Sequence, residues 1–472
     1  MSKTILNLSK IFSIAFLIIC IIFIFDIKSL GIIPNIYLYT GVIILIILNL
    51  VLLYLSWFNK KIKNKVFSIV IIIIFSIIFG IGYINANKIS AFLKSFTEDN
   101  LQIEYKIVVL KDNLKSNADL IGKSIGYLND NASSIKENLD FNYNEVLLNN
   151  LNDLGNNLMN KKISAIVVET NVLQSLCDEI IGFKDSVVVL GKIYIKDSKT
   201  QLNINNDYKF SLEPFAIYIS GVDQYGDVNT VRGRSDVNII AVVNPQEHKI
   251  LLVNTPRDYY VKLHSVGSLD KLTHAGIYGI DESMSTIEDL YGVDINYYIR
   301  VDFNTIIDLV DALGGIDIYS DTEFQAWTDK ECHIASGNVS LDGKCALAYA
   351  RERKSYSTGD RHRGENQQQI ITAIIEKVTS SKTILNKYNT LLSSLNGKFK
   401  SNAPTKLLRS YIKYQISNMK KWDIEEISVN GTDSMNYTYS YGTSMQLYVM
   451  NPDYNTVTIA SDKIKEYLNM NK

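Results

Sequence analysis

What this chain lacks most plainly is an excess of either charge. Its 48 Lys and Arg are balanced by 49 Asp and Glu, for a formal net charge of -1. With no global basic field, nucleic acid is excluded as a partner. Cysteine is scarce, with four in 472 residues. No C-x-x-C and no Cys/His pattern with zinc spacing occurs, so the chain carries no zinc-site signature. Cys20 falls in an apolar stretch, Cys177 stands alone, and Cys332 and Cys345 flank a short loop. In an exported domain, where disulfides persist, that last pair is either a cross-link or two unrelated buried thiols. Spacing does not choose between them. No internal repeat is visible either.

Long apolar runs, by contrast, are present and crowd the N-terminus. They cover Ile11–Phe25 (extendable to Leu30), Ile36–Phe58 and Val66–Ile84. A bilayer-spanning helix needs about 20 mostly apolar residues, which the second and third meet. The first resembles a signal peptide in length, but it lacks a small-residue cleavage site and two more spans follow. Residues 1–85 therefore read as three transmembrane helices. Lys3 and Lys10 precede the first, and Lys60, Lys61, Lys63 and Lys65 crowd the loop before the third. The positive-inside rule then puts the N-terminus in the cytoplasm and everything beyond about Asn85 outside. The expected location is a cell membrane, multi-pass, with extracytoplasmic C-terminal domains.

Residues 86–102 read as a polar helical stalk. Residues 103–200 show short apolar runs at Ile107–Leu110, Ile125–Leu128 and Ile163–Val168, helical spacing over Asn144–Leu158, and β-branched alternation over Val187–Lys196. That is a small α/β accessory domain, either a spacer or a sensor. Asp197–Asp207 is a polar linker. Residues 208–472 read as a second α/β domain. It has a strand at Phe215–Ser220, a hairpin of Val237–Asn244 with Lys249–Asn254, and helices at Phe303–Leu313, Leu341–Ala350 and from about Arg363 to Thr379. Thr456–Ala460 reads as a strand and Lys463–Leu468 as a helix.

The chemistry lies in arginines and aspartates between Asp223 and Gln367. Hairpin strands are antiparallel, so Asp236, just before one strand, and Arg257, just after the other, share a sheet edge. Asp223 joins that edge if the Phe215–Ser220 strand runs antiparallel beside Val237–Asn244. Arg363 and Gln367 are four apart in the first turns of a helix, where free N–H groups favour anions. Guanidiniums beside paired carboxylates suit a phosphate or pyrophosphate carried with a divalent metal.

These landmarks occur in order as G-V-D (Gly221–Asp223), R-G-R-S-D (Arg232–Asp236), N-T-P-R-D-Y-Y-V, K-L-T-H-A, D-A-L-G-G-I-D, S-L-D-G-K-C-A-L-A-Y-A-R-E-R and G-D-R-H-R-G-E-N-Q-Q. Over about Tyr208–Ile459 the chain closely resembles the LytR-CpsA-Psr family of bacterial envelope proteins. The resemblance implies a sandwich with a central mixed sheet flanked by helices. It also implies a phosphotransferase that moves a glycopolymer from a polyprenyl-pyrophosphate carrier to peptidoglycan as a phosphodiester, in a Gram-positive-type envelope. By position, Asp223 and Asp236 look like ligands of Mg2+ or Mn2+. Arg234, Arg351, Arg353, Arg363 and Gln367 look like the pyrophosphate set, with Arg257 catalytic and Asp258 or a metal-bound hydroxide as base. Phe303, Ile306, Ile307 and Val310 share a helix face that either lines a groove for the lipid tail or is core. Asn366 replaces an Arg of many members, and Arg361 is gained on what reads as another face. Two other readings share the pocket: a non-catalytic lipid-pyrophosphate sensor and a polyprenyl-pyrophosphate pyrophosphatase.

Overall fold

Apolar residues at helical spacing, uninterrupted by charge, leave the N-terminal runs one way to satisfy their backbone polar groups in an apolar medium. In the computed structural model they form the helices Ser2–Leu30, Asn35–Trp57 and Ile62–Ser95. All three are long and apolar enough to cross a membrane. The structure describes residues 2–95, 102–111, 114, 116–196, 211–222, 233–380 and 398–470. The linker 197–207 lies outside them. The stalk expected over 86–102 is, as far as residue 95, a continuation of the third helix.

The next unit is a five-stranded sheet with the order Asn144–Leu148, Ser124–Leu128, Ala165–Glu169, Gln102–Leu110, Val187–Lys196. One expectation fails here. Asn144–Leu158 is not one helix but an edge strand, Asn144–Leu148, followed by the helix Leu151–Met159. Asn150 explains the break: its side chain accepts the Asp153 N–H, so a new helix starts there. Leu151, Leu154 and Leu158 are then buried on one face of that helix.

The second unit is a six-stranded mixed sheet. Its order is Phe399–Ser401, Tyr297–Asp302, Phe215–Val222, Ser235–Asn244, Lys249–Asn254, Asp423–Ser428. Phe215–Val222 runs antiparallel to Ser235–Asn244 and parallel to Tyr297–Asp302. One face, with Tyr218, Ile240, Val242, Leu251 and Val253, packs on the helices Ile280–Tyr291 and Tyr454–Tyr467. The other face, with Ile239, Ala241, Ile250 and Leu252, packs on Ile371 and Ile375 of the helix Asp360–Thr379 and on Trp422. This is the helix–sheet–helix sandwich expected.

Thr456–Ala460 is not a strand. It belongs to the helix Tyr454–Tyr467, which buries Val457, Ala460 and Ile464 at three- and four-residue spacing. The β-branched run misled because it is short, and the helical spacing becomes visible only across its whole length.

A third cluster holds Leu309, Val310, Leu313 and Ile316 together with Leu30, Ile32, Ala86 and Ile89 from the N-terminal helices and their junction. Val310 is 0% exposed there, and Ile306 packs against the same cluster. Val310 belongs to that packed cluster and the half-buried Ile306 leans on it. Ile307 is half-buried, and Phe303 is buried beneath the Arg351 guanidinium, which lies 4.7 Å from its ring centroid.

Cys332 and Cys345 are bonded, with Cα atoms 5.3 Å apart and a sequence separation of 13. Closing a loop of that length stabilises by about 3 kcal/mol on the chain-entropy account. Cys332→Ser should therefore lower unfolding stability by about that much, read by urea titration. Alkylation of the unreduced wild-type chain should leave these two thiols unlabelled. Labelling at both would show them unpaired in the native protein.

Candidate active site

The strand Ser235–Asn244 begins, and the strand Lys249–Asn254 ends, on the same sheet edge. Asp236 and Arg257 therefore meet: Arg257 Nη1 donates to Asp236 Oδ1 at 2.7 Å. The Thr273 hydroxyl donates to the same oxygen at 3.1 Å. Thr273 arrives on the helix Leu272–Tyr278, whose Gly276 carbonyl accepts the Gly233 N–H at 2.7 Å. A Cβ at Gly276 would stand 2.2 Å from the Gly233 carbonyl oxygen, so no larger residue allows this approach.

Burial by itself raises the Asp236 carboxyl. Arg257, Arg234 and Arg363 outweigh that and hold it below its ordinary range, so it stays ionised. Burial likewise opposes charge on Arg257, and Asp236 and Asp258 more than restore it. Arg363, one turn into the helix Asp360–Thr379, donates to Asp360 at 3.0 Å. Burial lowers its proton affinity, Asp360 opposes that, and Arg257 adds to the lowering. Gly364 brings this helix against the sheet edge, since a Cβ there would meet the Asn254 amide at 2.1 Å.

Asp236, Arg257, Arg363 and Gln367 line one cleft, together with Asn254, Asp360, Arg361, Ser428 and Asn430. Asp258 does not line it. Its carboxylate pairs with Lys271 Nζ at 2.7 Å and lies 3.7 Å from Arg257 Nε. Burial works against its charge, but Lys271 and Arg257 prevail and hold it low. A carboxylate so neutralised is a poor proton acceptor, and its place beside Arg257 is that of an anchor.

The arginines after Ala350 diverge. Glu352, between them, is fully buried and accepts the N–H groups of Trp327, Arg353, Lys354 and Ser355 at 2.6–3.1 Å. That fixes the backbone with Arg351 over Phe303 and Arg353 exposed, so neither lines the cleft. Arg234 is turned towards the first sheet unit, where it pairs with Asp178 and lies 3.9 Å from Glu179. Asp223 lies outside the described residues; Val222, before it, pairs with Ser235. Among the described residues no group of three metal-ligating side chains occurs.

Sequence reasoning missed Arg361 as a cleft residue and gave no structural role to Asn366, Thr273 and Lys271, which are not among the residues of its lining. Arg361 was set aside as lying on another face, yet it lines the cleft and donates to the Gly431 carbonyl at 2.8 Å. The helix starts at Asp360, three residues earlier than expected, which places Arg361 in its first turn. Asn366 is buried and donates to the Tyr349 carbonyl at 3.0 Å, so it ties two helices together. Thr273 and Lys271 stood in the K-L-T-H-A landmark but were given no role.

Residues 180–453, more than half the chain, match the LytR_cpsA_psr family. Among curated proteins, the chain is 34% identical over 208 residues to the polyisoprenyl-teichoic acid–peptidoglycan teichoic acid transferase TagU of Enterococcus faecalis, covering 44% of this chain and 66% of that one. It is 38% identical over 191 residues to the Bacillus mycoides protein of the same name, covering 40% and 60%. The chain thus spans less than two thirds of the length of either relative. A solved structure of B. subtilis TagV, 26% identical, covers 55% of this chain and 99% of its own, with a TM-score of 0.47.

Removing the negative charge of Asp236 takes from the buried Arg257 its nearest counter-ion, with Arg363 close by. Asp236→Asn should cost about 3 kcal/mol of unfolding stability, the lower end for breaking a buried pair. Because Asp236 and Asp258 are held low, their stabilisation is complete above the ordinary carboxylate value of about 3.9 and is lost as pH falls through their lowered folded values. The variant's melting temperature should therefore change less on acidification than that of wild type, and added pyrophosphate should recover part of the loss. Equal acid sensitivity would show that Asp236 is not the charged centre.

Proposed function

This chain belongs to the LytR_cpsA_psr family, and from that premise we propose that it is a membrane-anchored phosphotransferase joining a glycopolymer to peptidoglycan. The donor is a polyprenyl-pyrophosphate-linked glycopolymer. The observation that carries this reading is the cleft in which the ionised Asp236 sits between Arg257 and Arg363, with Arg361 on the same lining. Asp236 holds Arg257, Asp360 holds Arg363 and Asp433 holds Arg361, so three fixed guanidinium forks stand at the cleft, an arrangement that suits a polyanion whose reacting end is a pyrophosphate. The TagU relatives carry names for the same class of transfer.

Phosphoryl transfer asks the protein mainly for position and charge neutralisation. The acceptor hydroxyl oxygen forms a new bond to the glycan-linked phosphorus, and its proton passes to the departing polyprenyl phosphate. The bond from that phosphorus to the bridging oxygen breaks, and polyprenyl phosphate leaves with the electron pair. Arg257, fixed by Asp236 and Asp258 from two sides, is placed to meet charge that grows on the phosphoryl oxygens. Arg363 and Gln367, in the first turns of their helix, hold the ground-state pyrophosphate.

The residues present fit a divalent cation in part. Asp236 is ionised on the cleft wall, its Oδ1 taken by Arg257 and Thr273. In sequence, Asp223 follows Val222, the strand partner of Ser235. Asp223 and Asp236 would hold Mg2+ or Mn2+, which when bound would screen the pyrophosphate oxygens. The lysine asymmetry of the N-terminal segments supports a cleft outside the cytoplasm, facing lipid-borne donor and peptidoglycan.

The test is a transfer assay on the full chain in uncharged detergent, with short lipid-pyrophosphate glycan, Mg2+ and peptidoglycan oligomers. A phosphodiester-linked product should appear by mass. Arg257→Ala should lower single-turnover transfer by about 100-fold or more, as loss of an electrostatic donor does, with a smaller effect on donor affinity. Arg363→Ala should chiefly weaken donor binding. Binding losses without any product in wild type would favour the sensor reading, and lipid phosphate released without acceptor would favour the pyrophosphatase. Protease added to intact protoplasts should degrade the chain beyond Asn85; full protection there would overturn the orientation.

A further inference from the structure

The contact that this reading leaves unused joins the two sheet units. The helix Thr170–Glu179 of the first unit ends in Asp178 and Glu179, and both face Arg234. The Arg234 side chain is 10% exposed and that of Asp178 is 46%. Arg234 is thus drawn under the first unit, with Asp178 as its solvent-side partner. The C-terminal turn of a helix carries partial negative charge that adds to that of the two carboxylates. On the other side Asp236 attracts Arg234 and Arg257 repels it.

The helix that bears this acidic pair is not free to swing away. Leu176 shares a core with Leu151 and Leu154 of the first unit and with Ile277, Tyr441 and Leu447 of the second. The Leu151 N–H donates to the Ser440 carbonyl at 2.8 Å, and Asn152 hydrogen-bonds Ser444. The Asn171 side chain stands where a Cβ on Gly233 would be, one residue before Arg234. The part of the contact that can change is therefore the side chains of Arg234 and Asp178.

We propose that Asp178 and Glu179 compete with the donor's pyrophosphate for Arg234, so that the first sheet unit sets how tightly the transferase cleft takes its donor. This rests on Arg234 being a pyrophosphate ligand. Arg257 and Arg363 already line the cleft, and they meet the pyrophosphate first. Arg234 joins them only when the phosphate displaces Asp178. While it is paired to two carboxylates, Arg234 offers an anion little net positive charge, and Asp178 and Glu179 repel the incoming phosphate.

The experiment titrates geranylgeranyl pyrophosphate with Mg2+ into the full chain in uncharged detergent by calorimetry. The variant Asp178→Asn/Glu179→Gln should bind about two- to fivefold tighter, the range a half-exposed ion pair is worth. Asp178→Glu should return the wild-type affinity. Adding Arg234→Ala to the double variant should abolish the gain. If wild type binds the probe and the double variant binds it equally or more weakly, the competition is overturned. A gain that survives Arg234→Ala overturns it as well, because the effect then does not pass through Arg234. Absence of probe binding by wild type sinks the donor reading of the whole cleft, and the competition with it.

Discussion

A carboxylate at 7% exposure with guanidiniums gathered round it is the constraint on which the second sheet unit is organised. Desolvating Asp236 is costly, and Arg257 and Thr273 repay that only with good geometry on one oxygen. Desolvating Arg257 is costly too, and it is met from both sides by Asp236 and Asp258. Asp258 is balanced in turn by Lys271. The result is an alternating chain, Lys271, Asp258, Arg257, Asp236, in which each charge is placed by the next. Such a network loses more from the removal of one member than a single pair would.

The fold serves this network by close backbone approach. Gly276 lets the helix carrying Thr273 rest on Gly233, and Gly364 lets the helix carrying Arg363 rest on Asn254. A further buried pair anchors the first of these helices. Asp270 accepts the Ser440 N–H at 2.8 Å and faces His274 Nδ1 at 2.6 Å. Ser440 lies in the segment that also docks the first sheet unit through Leu151. The same short stretch thus holds both the Thr273 helix and the neighbouring sheet.

The N-terminal helices enter the same economy of contacts. The end of the first helix, the junction after it and the last turns of the third contribute Leu30, Ile32, Ala86 and Ile89 to a core with Leu309, Val310 and Leu313. The helix Phe303–Leu313 leaves its strand at Asp302, level with Val222 and Ser235, so it starts at the same end of the sheet as the cleft, opposed to the hairpin turn after Asn244.

Periodicity and order along the chain determined much by themselves. Three apolar runs of bilayer length, the hairpin, the helix over Phe303–Leu313 and the meeting of Asp236 with Arg257 were legible, because each depends on neighbours in sequence or on one antiparallel pairing. The helix Tyr454–Tyr467 and the strand Asn144–Leu148 were not. Short β-branched or apolar runs fit either period until a cap and a packing partner decide. Only the tertiary structure decided which arginines share a cleft. Arg351 and Arg353 are parted by the buried Glu352, Arg361 falls in the first turn of its helix beside the cleft, and Arg234 is taken by carboxylates more than 50 positions away in sequence. A guanidinium reaches several ångströms from its Cα in any direction, so its partner is chosen by whichever carboxylate the fold brings near, and no local pattern records that choice.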